Sequence, residues 1–338
     1  MRKLLTAALC LATTATATGC GATVEPSADS KSSSITLTNC GHKVTYDKVP
    51  RRVVTNDVGI TELMFALGLE DRMAGYAMPD DKGDLSGVPW KDGYDKVKWL
   101  SKDQLTRENV LDARADLVFA GWNYGFRDDG GFTPDALKKL GIPSYVLTES
   151  CRNGRTKSSR GIMPPLDALY ADLTNLGKLF GVEQRAAALI ADFKKQIAGV
   201  RAKAPQDDDR PTVFLYDSGQ DQPFTSGRYA APEQIITEAG GTNLMHDVAD
   251  SWTTVGWETV VERDPDVIVI CDYGDVSAEQ KKKFLLSYAP LRNVSAVKHR
   301  RIFTLDYVDL VESPRNPSAV ARLGGYLRTV TEGGGGRG

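Results

Sequence analysis

The chain has 338 residues and a formal net charge of −2, more than one hydrophobic core usually fills, so two lobes are expected. With 41% hydrophobic and 25% charged residues, its composition is that of an ordinary globular protein. The near-balanced charge gives no reason to expect nucleic acid or an anionic membrane surface as partner, and no apolar run reaches the roughly 20 residues that span a bilayer.

In chain order, the first segment reads as a targeting signal. "MRKLLTAALCLATTATATGC" (1–20) carries Arg2 and Lys3, a short apolar run and then small residues up to Gly19 and Cys20, the pattern of a secretory leader. It resembles the bacterial lipoprotein type, in which the cysteine after the small residues is lipidated and becomes residue one; Cys20 holds that position. Residues 21–38 begin with a polar, Ser-rich stretch and read as a flexible tether. Export permits disulfides. Of five cysteines, Cys10 leaves with the leader and Cys20 is the anchor. Cys40 and Cys151 flank the N-terminal half and are the preferred pair, and Cys271 is expected buried at the end of a strand. Neither these spacings nor the scattered His42, His246 and His299 suit a metal site.

Short β-branched runs then alternate with helical patterns, which argues for parallel α/β units. Residues 39–162 hold "RVVT" (52–55), an amphipathic stretch over 59–69, "MAGYA" (73–77), "DLVFAG" (116–121), a helix after Pro134 and "SYVLT" (144–148). A helical segment follows at 163–204. Gly181 divides it, and its second helix, about 183–203, would be some 30 Å long at roughly 1.5 Å per residue, suiting a strut between lobes. Residues 205–330 repeat the α/β pattern: "TVFLYDS" (212–218), a helix at 232–240, "DVIVIC" (266–271), a Lys-rich helix near 277–286, "RIFTLDY" (301–307) and a last helix at about 316–328. The Gly-rich end, 331–338, reads as disordered.

The two halves share a unit. "LTRENVLDARADLVFA" (105–120) and "VGWETVVERDPDVIVI" (255–270) align so that Glu108 falls on Glu258, Val110 on Val260 and Asp116 on Asp266. Each copy is an acid opening a short helix, an Asp and a buried strand. An acid in a first helical turn is favoured by the helix dipole by about 0.3–1 kcal/mol, which accounts for one copy without function. Two matched copies present twin carboxylates, as a two-fold symmetric partner would require.

On these segments the chain resembles the helical-backbone substrate-binding proteins of ABC importers, the group that captures ferric siderophores, haem and cobalamin, over about residues 39–330. The resemblance implies an α/β fold of two doubly wound Rossmann-like lobes joined by one long helix, of the class III periplasmic-binding-protein type. It implies a solute held between the lobes, with Glu108 and Glu258 meeting arginines of a permease whose separate ATPase subunits supply energy. "PFTSGR" (223–228), Trp252 six residues before Glu258, and "TLDY" (304–307) resemble cleft segments of that group. "NCGHKVTYD" (39–47), "AGWNYGF" (120–126), Cys151 and "VGWE" (255–258) resemble an actinobacterial subgroup proposed to import a deazaflavin cofactor precursor, which makes such a precursor the alternative ligand.

Ligands of doubly wound sheets sit beyond the carboxyl ends of strands. Residues so placed are Trp122, Asn123, Tyr124, Ser218, Phe224, Ser226, Arg228, Trp252, Trp257, Tyr273, Asp306 and Tyr307. Large flat side chains and an arginine suit a bulky, flat or anionic chelate better than a small sugar. No G-x-S-x-G, H-E-x-x-H or G-x-x-x-x-G-K-[ST] is present, so binding without catalysis and without a resident cofactor is expected. The expected protein is a monomer outside the cytoplasm, held to the cell membrane by its lipid. An exported enzyme and a tethered sensor or adhesion module are the readings of another class.

Overall fold

The computed structural model describes residues 34–154, 159–206 and 209–334. The leader and Cys20 lie outside the described residues.

Two parallel sheets form the framework. The N-terminal sheet orders its strands Trp99–Ser101, Met73–Ala77, Val53–Asn56 and Leu117–Trp122, with Ser144–Val146 beyond. The C-terminal sheet orders Thr242–Asn243, Thr212–Tyr216, Val267–Asp272 and Ile302–Asp306. Their central strands are the unbroken apolar runs of the repeat. Leu117, Val118, Phe119 and Ala120, and equally Val267, Ile268, Val269 and Ile270, are buried, as a parallel strand covered on both faces must be.

The repeated aspartate has a mechanical role. Asp116 accepts hydrogen bonds from the backbone N–H groups of Arg51 and Arg52, and its own N–H donates to the Arg52 carbonyl. Asp266 accepts from the N–H and hydroxyl of Thr212 and donates back to the Thr212 carbonyl. In each sheet the acid one residue before a core strand ties down the start of its neighbour, at the residue before the first paired position, so Val53 pairs with Leu117 and Val213 with Val267.

Two helices span the lobes. Pro165–Phe180 begins against the C-terminal lobe, where the Leu166 N–H donates to Gln234. It ends against the N-terminal hairpin, where Asn175 and Lys178 donate to the Thr38 and Thr36 carbonyls. Gly181, at φ +70°, closes it in the left-handed conformation, as a helix C-terminus favours. Glu183–Arg201 returns: Arg185 donates to the Leu67 carbonyl in the first lobe, and Arg201 grips Glu238 in the second. The largest of three apolar clusters among the described residues runs from Leu37 through Leu173 and Leu176 to Leu323 and Leu327.

Two segments near the ends of the described residues are more regular than the sequence suggests. The tether expected through residue 38 stops earlier, because Ile35–Asn39 pairs with His42–Tyr46. Cys40 and Gly41 turn this hairpin with φ of 50° and 75°, the geometry that two-residue hairpin loops prefer. Asn39 exchanges two hydrogen bonds with the Val146 backbone, and Tyr46 donates to the Ser144 carbonyl, docking the hairpin on the sheet. At the other end Asn316–Gly334 is helical, so residues 331–334 belong to the helix rather than to a tail. The Thr331 hydroxyl donates to carbonyls one turn back.

Cys40 and Cys151 are joined in a disulfide that closes 111 residues of sequence. Loop-closure entropy for a link of this length is about 4–5 kcal/mol. Reduction, or the Cys40→Ser/Cys151→Ser double variant, is expected to lower unfolding free energy by several kcal/mol in denaturant melts. An unchanged midpoint would show that the hairpin contacts alone hold this edge.

Candidate functional site between the lobes

Four core strands are each followed immediately by a residue that faces one cavity. Asn123 follows Leu117–Trp122, Asp217 follows Thr212–Tyr216, Tyr273 follows Val267–Asp272, and Tyr307 follows Ile302–Asp306. Tyr124, Phe224, Trp252 and Arg160 complete the wall of this space of ≈ 150 Å³. Larger grooves of ≈ 700 and ≈ 650 Å³ lie by the N-terminal hairpin and beside Glu183–Arg201. Neither is lined by such strand-following residues from both sheets. The position beyond the carboxyl ends of parallel strands is where open α/β sheets hold ligands.

Six sequence-selected residues are brought together here: Asn123, Tyr124, Phe224, Trp252, Tyr273 and Tyr307. Phe224 and Trp252 sit opposite each other on the antiparallel pair Phe224–Ser226 and Trp252–Thr254, their rings stacked at 5.9 Å and 23°. Tyr273 and Tyr307 stack at 4.2 Å and 21°.

Five are placed elsewhere, together with the neighbouring Ser218. Trp257 shares the inward face of Trp257–Arg263 with Val260 and packs among Tyr216, Phe284 and Tyr288, while its indole N–H donates to the Gln220 carbonyl. Ser226 is fully buried beneath the cavity wall. Arg228 is exposed and donates to the His246 carbonyl. Asp306 accepts the Asp84 N–H from a loop of the other lobe. Trp122 is not in the cavity wall and carries the Arg152 guanidinium 3.4 Å above its ring. Ser218 turns its hydroxyl to Asp217.

Sequence reasoning missed Arg160 and Asp217. Asp217 was open to detection, since it directly follows "TVFLY"; Arg160 lies in an irregular loop with no periodicity to mark it.

Beneath the tyrosines lies a set of buried acids. The Tyr307 hydroxyl donates to Asp57 at 2.7 Å. Asp57 is a buried residue at φ +86° that caps helix Val58–Ala66 through the Gly59 N–H, and a non-glycine residue in this region is strained. Burial raises the carboxyl pKa of Asp57, and burial together with the charge of Asp57 raises that of Asp80 well above the usual range. Nearby, Glu149 and Glu312 each accept the other's backbone N–H, at 3.0 and 2.9 Å, and Ser251 donates to Glu149. Burial pushes the Glu149 carboxyl up to about 7, against the attraction of Arg160 and those hydrogen bonds. Asp172 and Glu312 are raised by burial as well.

The paired acids of the repeat behave differently. Glu108 and Glu258 are exposed in the first turns of Arg107–Asp112 and Trp257–Arg263. Helices that connect parallel strands run antiparallel to them, so their N-termini stand at the carboxyl edge of each sheet, the edge that carries the cavity. Backbone N–H and the Thr106 hydroxyl hold the Glu108 carboxyl below its usual range. Glu258 folds over Gly256, where a Cβ would meet its carboxylate at 2.6 Å.

Residues 53–308 match the family described as periplasmic binding protein. The chain belongs to that family. Members are binding proteins of transporters rather than enzymes. The chain is 24% identical over 287 residues, 83% of its length and 81% of the relative's, to the uncharacterized ABC transporter substrate-binding lipoprotein YvrC of Bacillus subtilis (strain 168). It is similar to the crystal structure of a periplasmic binding protein from Veillonella parvula (TM-score 0.73, 28% identity, 88% of this chain and 98% of that one). It also shares the fold of an ABC-type Fe3+-hydroxamate transport system structure from Saccharomonospora viridis (TM-score 0.71, 24% identity, 87% and 98%).

The buried acids give stability a definite pH dependence. Glu149 is protonated in the folded chain and ionised in the unfolded one between about pH 4.5 and 7, so stability is highest on the acid side and falls as pH rises through that window, by roughly 3 kcal/mol from this group. Asp57, Asp80, Asp172 and Glu312 act in the same direction. Thermal melts should show Tm falling between pH 5 and 7.5, with a shallower fall in Glu149→Gln; an equal slope in the variant would mean Glu149 titrates normally.

Proposed function

We propose that this chain is the extracytoplasmic solute-binding lipoprotein of an ABC importer, anchored through Cys20, which captures a metal chelate of the iron–siderophore type, or cobalamin or haem, in the inter-lobe cavity. Family membership sets the class. The observation that carries the proposal is the convergence of Asn123, Asp217, Tyr273 and Tyr307, each one residue beyond a core strand, on one aromatic cavity. A deazaflavin cofactor precursor is the second reading. The narrowness of the cavity and its two stacked aromatic pairs favour it, since both suit a flat ring.

Binding in this account involves no chemistry. Solute enters between the lobes, the loaded protein docks on the permease, and ATPase subunits drive transfer. Glu108 and Glu258 are the docking acids. Both are exposed, both open a helix at the carboxyl edge of their sheet, and neither lines the cavity. Charges placed at a rim govern association with a partner more than folding.

The Glu108→Ala/Glu258→Ala double variant is expected to bind solute with unchanged Kd while cellular uptake falls by about tenfold or more. Unaltered uptake would remove the docking role and favour a tethered sensor that feeds no importer.

A further inference from the structure

The cavity holds a cation without a full set of partners. Arg160 is only 6% exposed. Its Nε has no hydrogen-bond partner among the described residues. Its two terminal nitrogens reach the carbonyls of Trp122 and Trp252 at 3.4 Å each, beyond the usual N–H···O range. Among the described residues it forms no ion pair. Glu149 attracts it, but that carboxyl is already committed to the Glu312 N–H and the Ser251 hydroxyl.

A guanidinium so far from water and so poorly bonded is costly to keep. The cost is relieved when an oxyanion arrives to take the fork of N–H donors, an arrangement that yields short charge-assisted bonds. What surrounds it limits the rest of the ligand. The stacked pairs Phe224/Trp252 and Tyr273/Tyr307 present ring faces and edges. The volume of ≈ 150 Å³ is below the roughly 300–1,000 Å³ of drug-sized sites, so only part of a solute fits within it, and the ring faces suit a flat conjugated part. Asp217 also lines the wall, so the ligand's negative charge must be confined to the end that meets Arg160.

Resting on the reading of this cavity as the solute site, we propose that Arg160 anchors a carboxylate or phosphate carried by a flat conjugated solute, and that the cavity selects such anions over neutral hydroxamate chelates. Two matched pairs of probes test it on the purified full chain by tryptophan fluorescence: FMN against riboflavin, and haem against its dimethyl ester. In at least one pair the anionic member should bind about tenfold or more tighter. Arg160→Gln should abolish that preference, and Arg160→Lys should keep part of it. Because the unliganded side chain holds little together, Arg160→Gln should melt within about 2 °C of the parent.

Equal binding within both pairs, a preference that survives in Arg160→Gln, or binding confined to ferrioxamine or cobalamin overturns the anchor and leaves the cavity as the solute site. A large loss of Tm in Arg160→Gln with no change in preference makes Arg160 a structural residue. If none of haem, FMN, ferrioxamine and cobalamin binds, or if Trp252→Ala leaves every titration unchanged, the cavity itself fails as the solute site and the anchor fails with it.

Discussion

In both sheets an aspartate placed one residue before the central strand grips the backbone at the start of the strand beside it. Asp116 does this for Arg51 and Arg52, and Asp266 for Thr212. Fixing where parallel strands start also fixes where they stop, because each residue advances a strand by about 3.3 Å. The residues just past the stops then share one edge, and the cavity is built from them. A register slip of one residue would turn every side chain of a strand to its other face, removing Tyr273 or Asn123 from the wall. The repeated sequence unit is therefore a register device, and the paired acids Glu108 and Glu258 ride on the helices that deliver it.

The lobes are tied together more tightly than a simple hinge requires. Two helices span them, the largest apolar cluster runs through both, and buried polar contacts join segments far apart in sequence. Arg315 pairs with Glu62 at 2.5 Å in the interior, where Trp90 and Tyr94 also donate to that carboxylate. Breaking such a fully partnered buried pair costs several kcal/mol. Tyr307 reaches Asp57, and Glu149 and Glu312 interlock through their backbones.

The sequence revealed what periodicity and position encode. Unbroken β-branched runs marked the core strands, and the rule that ligands lie beyond their carboxyl ends picked out Asn123, Tyr273 and Tyr307, which line one cavity. Trp257 was grouped with the cleft aromatics but packs inward. Only the helical phase shared with Val260 turns the indole inward, and that phase is uncertain in a helix of seven residues. Asp306 and Trp122 were lost to partners from distant segments, the Asp84 N–H and the Arg152 guanidinium, which no local pattern announces. Arg160 escaped for the same reason. Its loop has no repeat, and its place in the wall follows from tertiary contacts such as the Arg160 N–H to Asp250.

The most direct test of the central claim is hydrogen–deuterium exchange on the full chain with and without saturating haem, cobalamin or ferrioxamine. The account predicts slowed exchange in both lobes at once, at 122–126 in the first and at 216–226, 251–254, 272–274 and 306–308 in the second. Protection confined to one lobe, or centred on the hairpin groove around 39–48, would contradict it.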